Sequence, residues 1–223
     1  TETNALINEL EEQLTQIKTT KVPAEQTKNE WPKPEKEKWF IHTAGIVALN
    51  PFLPALFSNL HLFTHKNEWK SENHQALAIY LLNYLVTEKF DRDEADEKLN
   101  ESAFLLNKVL VGFPLDNSLP NWDELVHNDE FDIAQITNQL TTEKEGILKA
   151  VQENWRPMRN CTWQGLINDF VSRPGELETK GEKNYLLTIE PHALDVLLPH
   201  KNWGMSMIKY SWMEEMLYVE WEK

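Results

Sequence analysis

The chain has 223 residues, with 22 Lys and Arg against 36 Asp and Glu, a formal charge of -14 at pH 7. That length allows roughly 70 % of the unfolded surface to be buried, in one large domain or in one medium domain with an extension. So acidic a surface repels a phosphate backbone and an anionic lipid face, which excludes nucleic acid and membrane as expected partners and leaves protein.

Cys161 is the single cysteine, so no intrachain disulfide forms and folding in a reducing cytoplasm is expected. No apolar run reaches the ~18 residues of a membrane-crossing helix. Thr1 leaves two readings open: an initiator methionine removed, or a piece of something longer.

In chain order, Asn4 to Lys18 comes first and spaces Ile7, Leu10, Leu14 and Ile17 by three, four and three, predicting an amphipathic or coiled-coil helix over 1–18. So short a stripe needs a partner surface, from its own domain or from a neighbouring copy, and the spacing favours neither. Residues 19–38 carry Pro23, Pro32 and Pro34 among lysines and glutamates and read as a linker, with Trp31 as an anchor. The remaining 39–223 is predicted to be one helical domain.

That domain opens on an apolar run from Thr43 to Phe57, broken by Pro51 and Pro54, three residues apart. Asn50 is positioned to cap a helix and Pro51 to occupy its first turn, with Phe52, Leu53, Leu56 and Phe57 on one apolar face. The expectation is a buried helix, a break and a second buried helix. Further helices are predicted over 75–86 and 102–111, the latter stopped by Gly112-Phe113-Pro114, then a turn of helix over 123–127. Two more stretches cover 131–140 and 143–155, and another covers 162–172, stopped by Pro174-Gly175.

The period then changes. Glu176 to Lys180 and Tyr185 to Glu190 flank Gly181 as a β-hairpin, with Leu187 and Ile189 opposite Thr188. Ala193 to Leu198 reads as a short helix closed by Pro199, and Trp203 to Trp221 as two more strands, with Leu217, Val219 and Trp221 sharing a face. The expected class is α+β, mainly α: a helical domain with a small antiparallel β-sheet near the C-terminus and an N-terminal amphipathic helix.

Chemistry-bearing patterns are sparse. The seven glycines form no phosphate-binding loop, and Gly204-Met205-Ser206 is only half of a nucleophile elbow. His61 and His65, four apart with Glu68 nearby, are spaced for one helix face but lack the glutamate beside the first histidine, so surface or capping roles are expected. The acidic run Asp91, Asp93, Glu94, Asp96 and Glu97 lacks a calcium loop's glycine and last glutamate. Cys161 is expected to stay a neutral thiol. No catalytic residue, cofactor or metal ligand is predicted.

Five blocks taken in order resemble the tape measure protein family of contractile injection systems, the phage-tail-like bacterial particles. They are Thr43-Ala44-Gly45-Ile46-Val47 with Asn50 to Phe57; Ala76 to Thr87, reading ALAIYLLNYLVT; Leu106 to Leu115; Val151 to Leu166, with Trp155 and Thr162-Trp163-Gln164-Gly165-Leu166; and Trp203 to Lys209 with Leu217 to Trp221. The resemblance implies a non-catalytic structural role at the inner tube and its ends. Implied partners are tube, cap or baseplate proteins and further copies of the chain as a homo-oligomer. The implied location is the cytoplasm during assembly and then the particle, with release outside the cell as a further fate. Candidate interaction residues are Ile7, Leu10, Leu14, Ile17, Trp31, Pro51, Phe52, Pro54, Phe57, Trp203, Trp212 and Trp221. A wholly helical chain of 223 residues would span only on the order of 330 Å. The expectation is therefore the end domain of a longer ruler or a short adaptor at the tube end. A cargo enzyme carried in the tube is the alternative of another class.

Overall fold

The computed structural model describes residues 37–90, 100–127, 130–181 and 183–221. The helix expected over 1–18, the linker up to residue 36 and the acidic run 91–97 lie outside them.

Strand β1 (Lys38–Ile41) leads into a 3-10 helix (Ala44–Phe52) that runs directly into α1 (Leu53–Asn59). Next come α2 (Glu72–Thr87), α3 (Asn100–Val111), α4 (Trp122–Val126) and α5 (Ile133–Asn154). A single 3-10 turn (Arg156–Met158), α6 (Trp163–Leu166) and a π-helical turn (Ile167–Val171) follow. The chain closes with β2 (Gly175–Lys180), β3 (Asn184–Ile189), a second 3-10 helix (Ala193–His200), β4 (Met207–Ile208) and β5 (Met216–Trp221).

Local chemistry accounts for most helix ends. Ser71 accepts from His74 N–H to start α2, and the left-handed Glu88 (φ 59°) ends it. Buried Asn83 holds that end by donating to Lys89 O at 2.9 Å. Asp132 caps α5 through Gln135 N–H. The two stretches expected over 131–140 and 143–155 are one 22-residue helix. The hydroxyls of Thr137 and Thr141 bond back to Ile133 O and Thr137 O, so the threonines ride along the helix instead of breaking it. The helix predicted over 162–172 is four α residues followed by a π turn.

The strands form one sheet in the order β1-β2-β3-β5-β4. The hairpin β2-β3 is antiparallel about Gly181, whose φ is 71°. Two features go beyond the expected small antiparallel sheet. β3 and β5 are parallel, because residues 190–215 cross back before β5 begins, and β1 adds a strand from the start of the domain. Lys38 secures β1, with its ammonium 2.5 Å from Glu176 Oε1 and 3.5 Å from Glu178 Oε2. The inner sheet face carries Ile41, Leu177, Leu187, Ile189, Leu217 and Val219, all buried in the same apolar core as the helices.

At Gly45 and Gly175 neighbouring elements approach too closely to leave room for a Cβ. A Cβ on Gly45 would lie 1.7 Å from Phe170 O, and one on Gly175 2.6 Å from Thr188 O and 2.7 Å from the Ala44 Cβ. Behind this contact, Arg173 sits almost fully buried, with Nη1 2.9 Å and Nη2 3.2 Å from the Asp195 carboxylate; Arg173 Nη2 also donates to Glu190 O. The Arg173 carbonyl accepts from Ala44 N–H at 2.7 Å.

Gly45→Ala is expected to lower unfolding free energy by about 3 kcal/mol, since the added methyl meets backbone that cannot move aside. Gly146→Ala, where a Cβ meets nothing on an exposed face of α5, should instead raise it by about 0.5–1 kcal/mol. Chemical denaturation of the two variants checks both signs.

Candidate interaction surface

The proline-bearing run is fastened by the C-terminal segment. In a 3-10 helix, Ala48 O would accept from residue 51, which is proline and has no N–H to give. Trp203 Nε1–H donates to Ala48 O at 3.0 Å, and Tyr210 O–H donates to Asn50 O at 2.7 Å. Trp203 supplies the donor that Pro51 lacks, and Tyr210 adds a second tie to the run at Asn50 O.

The expected Asn50 cap does not form. Phe52 precedes α1 without a side-chain cap bond, Pro54 stands in its first turn, and Asn50 Nδ2 donates instead to Gly204 O at 3.0 Å. The reason is that the run does not break: 3-10 turns pass into α turns at Phe52, so no free helix start exists for Asn50 to cap. Pro199 likewise lies inside the second 3-10 helix instead of closing a helix at Leu198.

Around these bonds the structure pairs several of the candidate residues. Phe52 packs edge-on to Trp203, with ring centroids 5.4 Å apart, and Trp203 meets the buried Trp155 at 5.8 Å. Phe57 is buried in a second cluster with Phe63, Trp69 and Trp212, and Trp212 Nε1–H donates to Leu110 O at 3.1 Å. Pro51 is exposed and Pro54 half-buried. Trp221 stands apart from both clusters, at the end of β5, with the Arg173 guanidinium 5.5 Å from its ring centre. Ile7, Leu10, Leu14, Ile17 and Trp31 lie outside the described residues.

A groove opens beside Trp221. It has a volume of about 790 Å³ and lies between the 3-10 helix 193–200, the loop 204–206 and the end of β5. Val196, Leu198, Pro199, Met205, Val219 and Trp221 give it a largely apolar lining, with Lys201 and Asp195 at its polar points. Asp195 is already engaged, by Arg173 and by His192 N–H, which it accepts at 2.7 Å. Val196 is 71 % exposed.

Neither the groove nor Val196 was among the residues singled out from sequence, although a signal existed. Residues 193, 196 and 199 are Ala, Val and Pro, an apolar row at spacing three, and the threefold period of a 3-10 helix stacks such residues on one side. All three are exposed, whereas Leu198 is buried. Phe40 (53 % exposed) and Met207 (62 %) were missed as well, one on each edge strand of the sheet.

The other chemistry-bearing residues do not converge. His61 and His65 share no helix face, because α1 ends at Asn59 and the chain turns at His61 with φ 58°. Both are exposed. Cys161 is half-buried, and that burial pushes its thiol pKa up, away from the reactive thiolate. His74 lies 3.0 Å from Glu130, yet burial holds its pKa below the usual value. Among the described residues, no group of three or more His, Cys, Asp and Glu is arranged to hold a metal, and no helix is long and apolar enough to cross a membrane.

Removing the Trp203 donor leaves the Ala48 carbonyl unsatisfied, so Trp203→Phe should cost about 1–3 kcal/mol in denaturant unfolding, and Tyr210→Phe about 0.5–1.5 kcal/mol for one lost hydrogen bond. Burial pushes the Tyr210 pKa well above its ordinary value of 10. The unfolded state therefore loses this proton first as pH rises, and the stability that Tyr210 contributes is complete below about pH 10 and declines above it. Between pH 9 and 11, stability measured in parallel should fall more steeply for the natural chain than for Tyr210→Phe.

Comparison with known proteins bears on this surface. A family model described as contractile injection system tape measure protein matches residues 1–221. No curated protein and no solved structure matches the chain.

Proposed function

Given that the chain belongs to the contractile injection system tape measure protein family, and is thus a structural component of such a system, we propose that it acts without catalysis at an end of the inner tube. The match over nearly the whole chain carries this reading.

The reading of an end component instead of an extended ruler rests on dimensions. The longest helix among the described residues, α5, has 22 residues and measures about 33 Å, and the described residues share one apolar core. A unit of this kind joins parts, and a short adaptor between tube end and cap or baseplate fits the same features. Tube, cap or baseplate proteins are the proposed partners, together with further copies of the chain. Assembly in the cytoplasm followed by incorporation into the particle is the corresponding itinerary.

Purified particles should contain the chain in a fixed ratio to tube subunits. Deleting its gene should leave tubes absent, uncapped or of altered length in electron micrographs, and particles of normal number and length after deletion would refute the role.

A further inference from the structure

The groove beside Trp221 borders an open stretch of sheet edge. β4 pairs with β5 at Ile208–Leu217 and Met207–Tyr218, and Val219 N–H still donates to Ser206 O at 2.9 Å. Antiparallel hydrogen-bonded pairs recur at every second residue, so the next pair in this register is Gly204 with Trp221. It does not form: Gly204 O accepts instead from Asn50 Nδ2 at 3.0 Å. Among the described residues the Trp221 backbone has no partner on this edge, and its buried indole N–H has no acceptor. The groove lies between the two residues that fail to pair, both of which line it.

Two further features define what fits there. Val196, Leu198, Met205 and Val219 make the walls largely apolar. Lys201 is half-buried in the lining; its ammonium donates to Trp203 O at 2.7 Å, and no carboxylate among the described residues lies within ion-pair reach of it. Asp195, the carboxylate of the groove, is held by Arg173. In a chain of net charge -14, this is a positive point that an outside carboxylate complements. An unpaired strand edge beside an apolar pocket takes up an extended segment, whose main chain adds to the sheet while alternate side chains enter the pocket.

The sequence outside the described residues lacks that alternating pattern. Ile7, Leu10, Leu14 and Ile17 recur every three or four residues, a helical period, and Pro23, Pro32 and Pro34 have no N–H for a ladder. In 91–99 the apolar residues are Ala95 and Leu99, four apart. We propose that the groove is the docking site for an extended segment of another protein, which pairs with β5 at Trp221, seats alternate apolar side chains against Val196 and Met205, and sets a carboxylate on Lys201. The inference adds a mode of binding to the partners proposed above. It is tested on the chain alone, so it stands or fails separately from the role at the tube end.

The probes are blocked peptides of about ten residues, with valine at every second position and one glutamate walked through the others. Fluorescence anisotropy reads their binding to the full chain. At least one should bind with a micromolar dissociation constant. Exchanging its glutamate for glutamine should weaken binding about threefold or more, and Lys201→Met should erase that difference. Val196→Glu, at a position already 71 % exposed, should weaken binding about tenfold or more. Near-ultraviolet circular dichroism verifies that both variants keep the fold. Methylation of alternate peptide nitrogens should abolish binding in one series and spare it in the other, because only one edge of the peptide faces β5. Four results would each overturn the proposal: no peptide binding, as when the chain itself fills the groove; indifference to the glutamine exchange; normal binding by Val196→Glu; or two methylated series that behave alike.

Discussion

The structure depends on how a missing hydrogen-bond donor is replaced. Pro51 has no N–H and leaves Ala48 O without the partner that 3-10 geometry would bring. A buried carbonyl left this way costs about 1–3 kcal/mol. Trp203 meets this need, and Tyr210 adds a bond to Asn50 O, each from more than 150 positions away in sequence. The proline-bearing run and the C-terminal tail therefore form one unit.

This requirement fits the sheet's one irregularity. The segment that carries Trp203 and Tyr210 lies between β3 and β5, so the chain leaves the sheet after β3, passes along the run 48–52, forms the two-residue β4 and re-enters as β5. β5 then lies parallel to β3. Arg173 ties the other side of the same excursion, linking the Asp195 carboxylate, Glu190 O and, through its own carbonyl, Ala44 N–H. The groove is the space left where the second 3-10 helix and the end of β5 part company, beyond the reach of β4.

The tryptophans show why half-burial alone does not identify a contact surface. Trp203 and Trp212 each spend the indole N–H on a carbonyl of the fold, and both rings sit in aromatic clusters. Trp221 differs in having no acceptor for its buried N–H among the described residues. The three tryptophans thus fall into two situations, and hydrogen-bond geometry separates them.

Periodicity and capping chemistry determined α2, α3, the β2-β3 hairpin and the inward face of β5, because spacing, a Ser or Gly at an element's end and strict alternation act within a few residues. The order of the five blocks likewise sufficed to place the chain in its family. Long-range contacts decided the rest. Whether Asn50 caps a helix or reaches Gly204 depends on a tail 150 residues later. Whether β5 runs parallel depends on the crossover, and whether Val196 faces outward depends on the chain choosing three residues per turn over 3.6. Those choices are settled by which distant donors and apolar surfaces must be satisfied at once, a condition that exists only in the assembled fold.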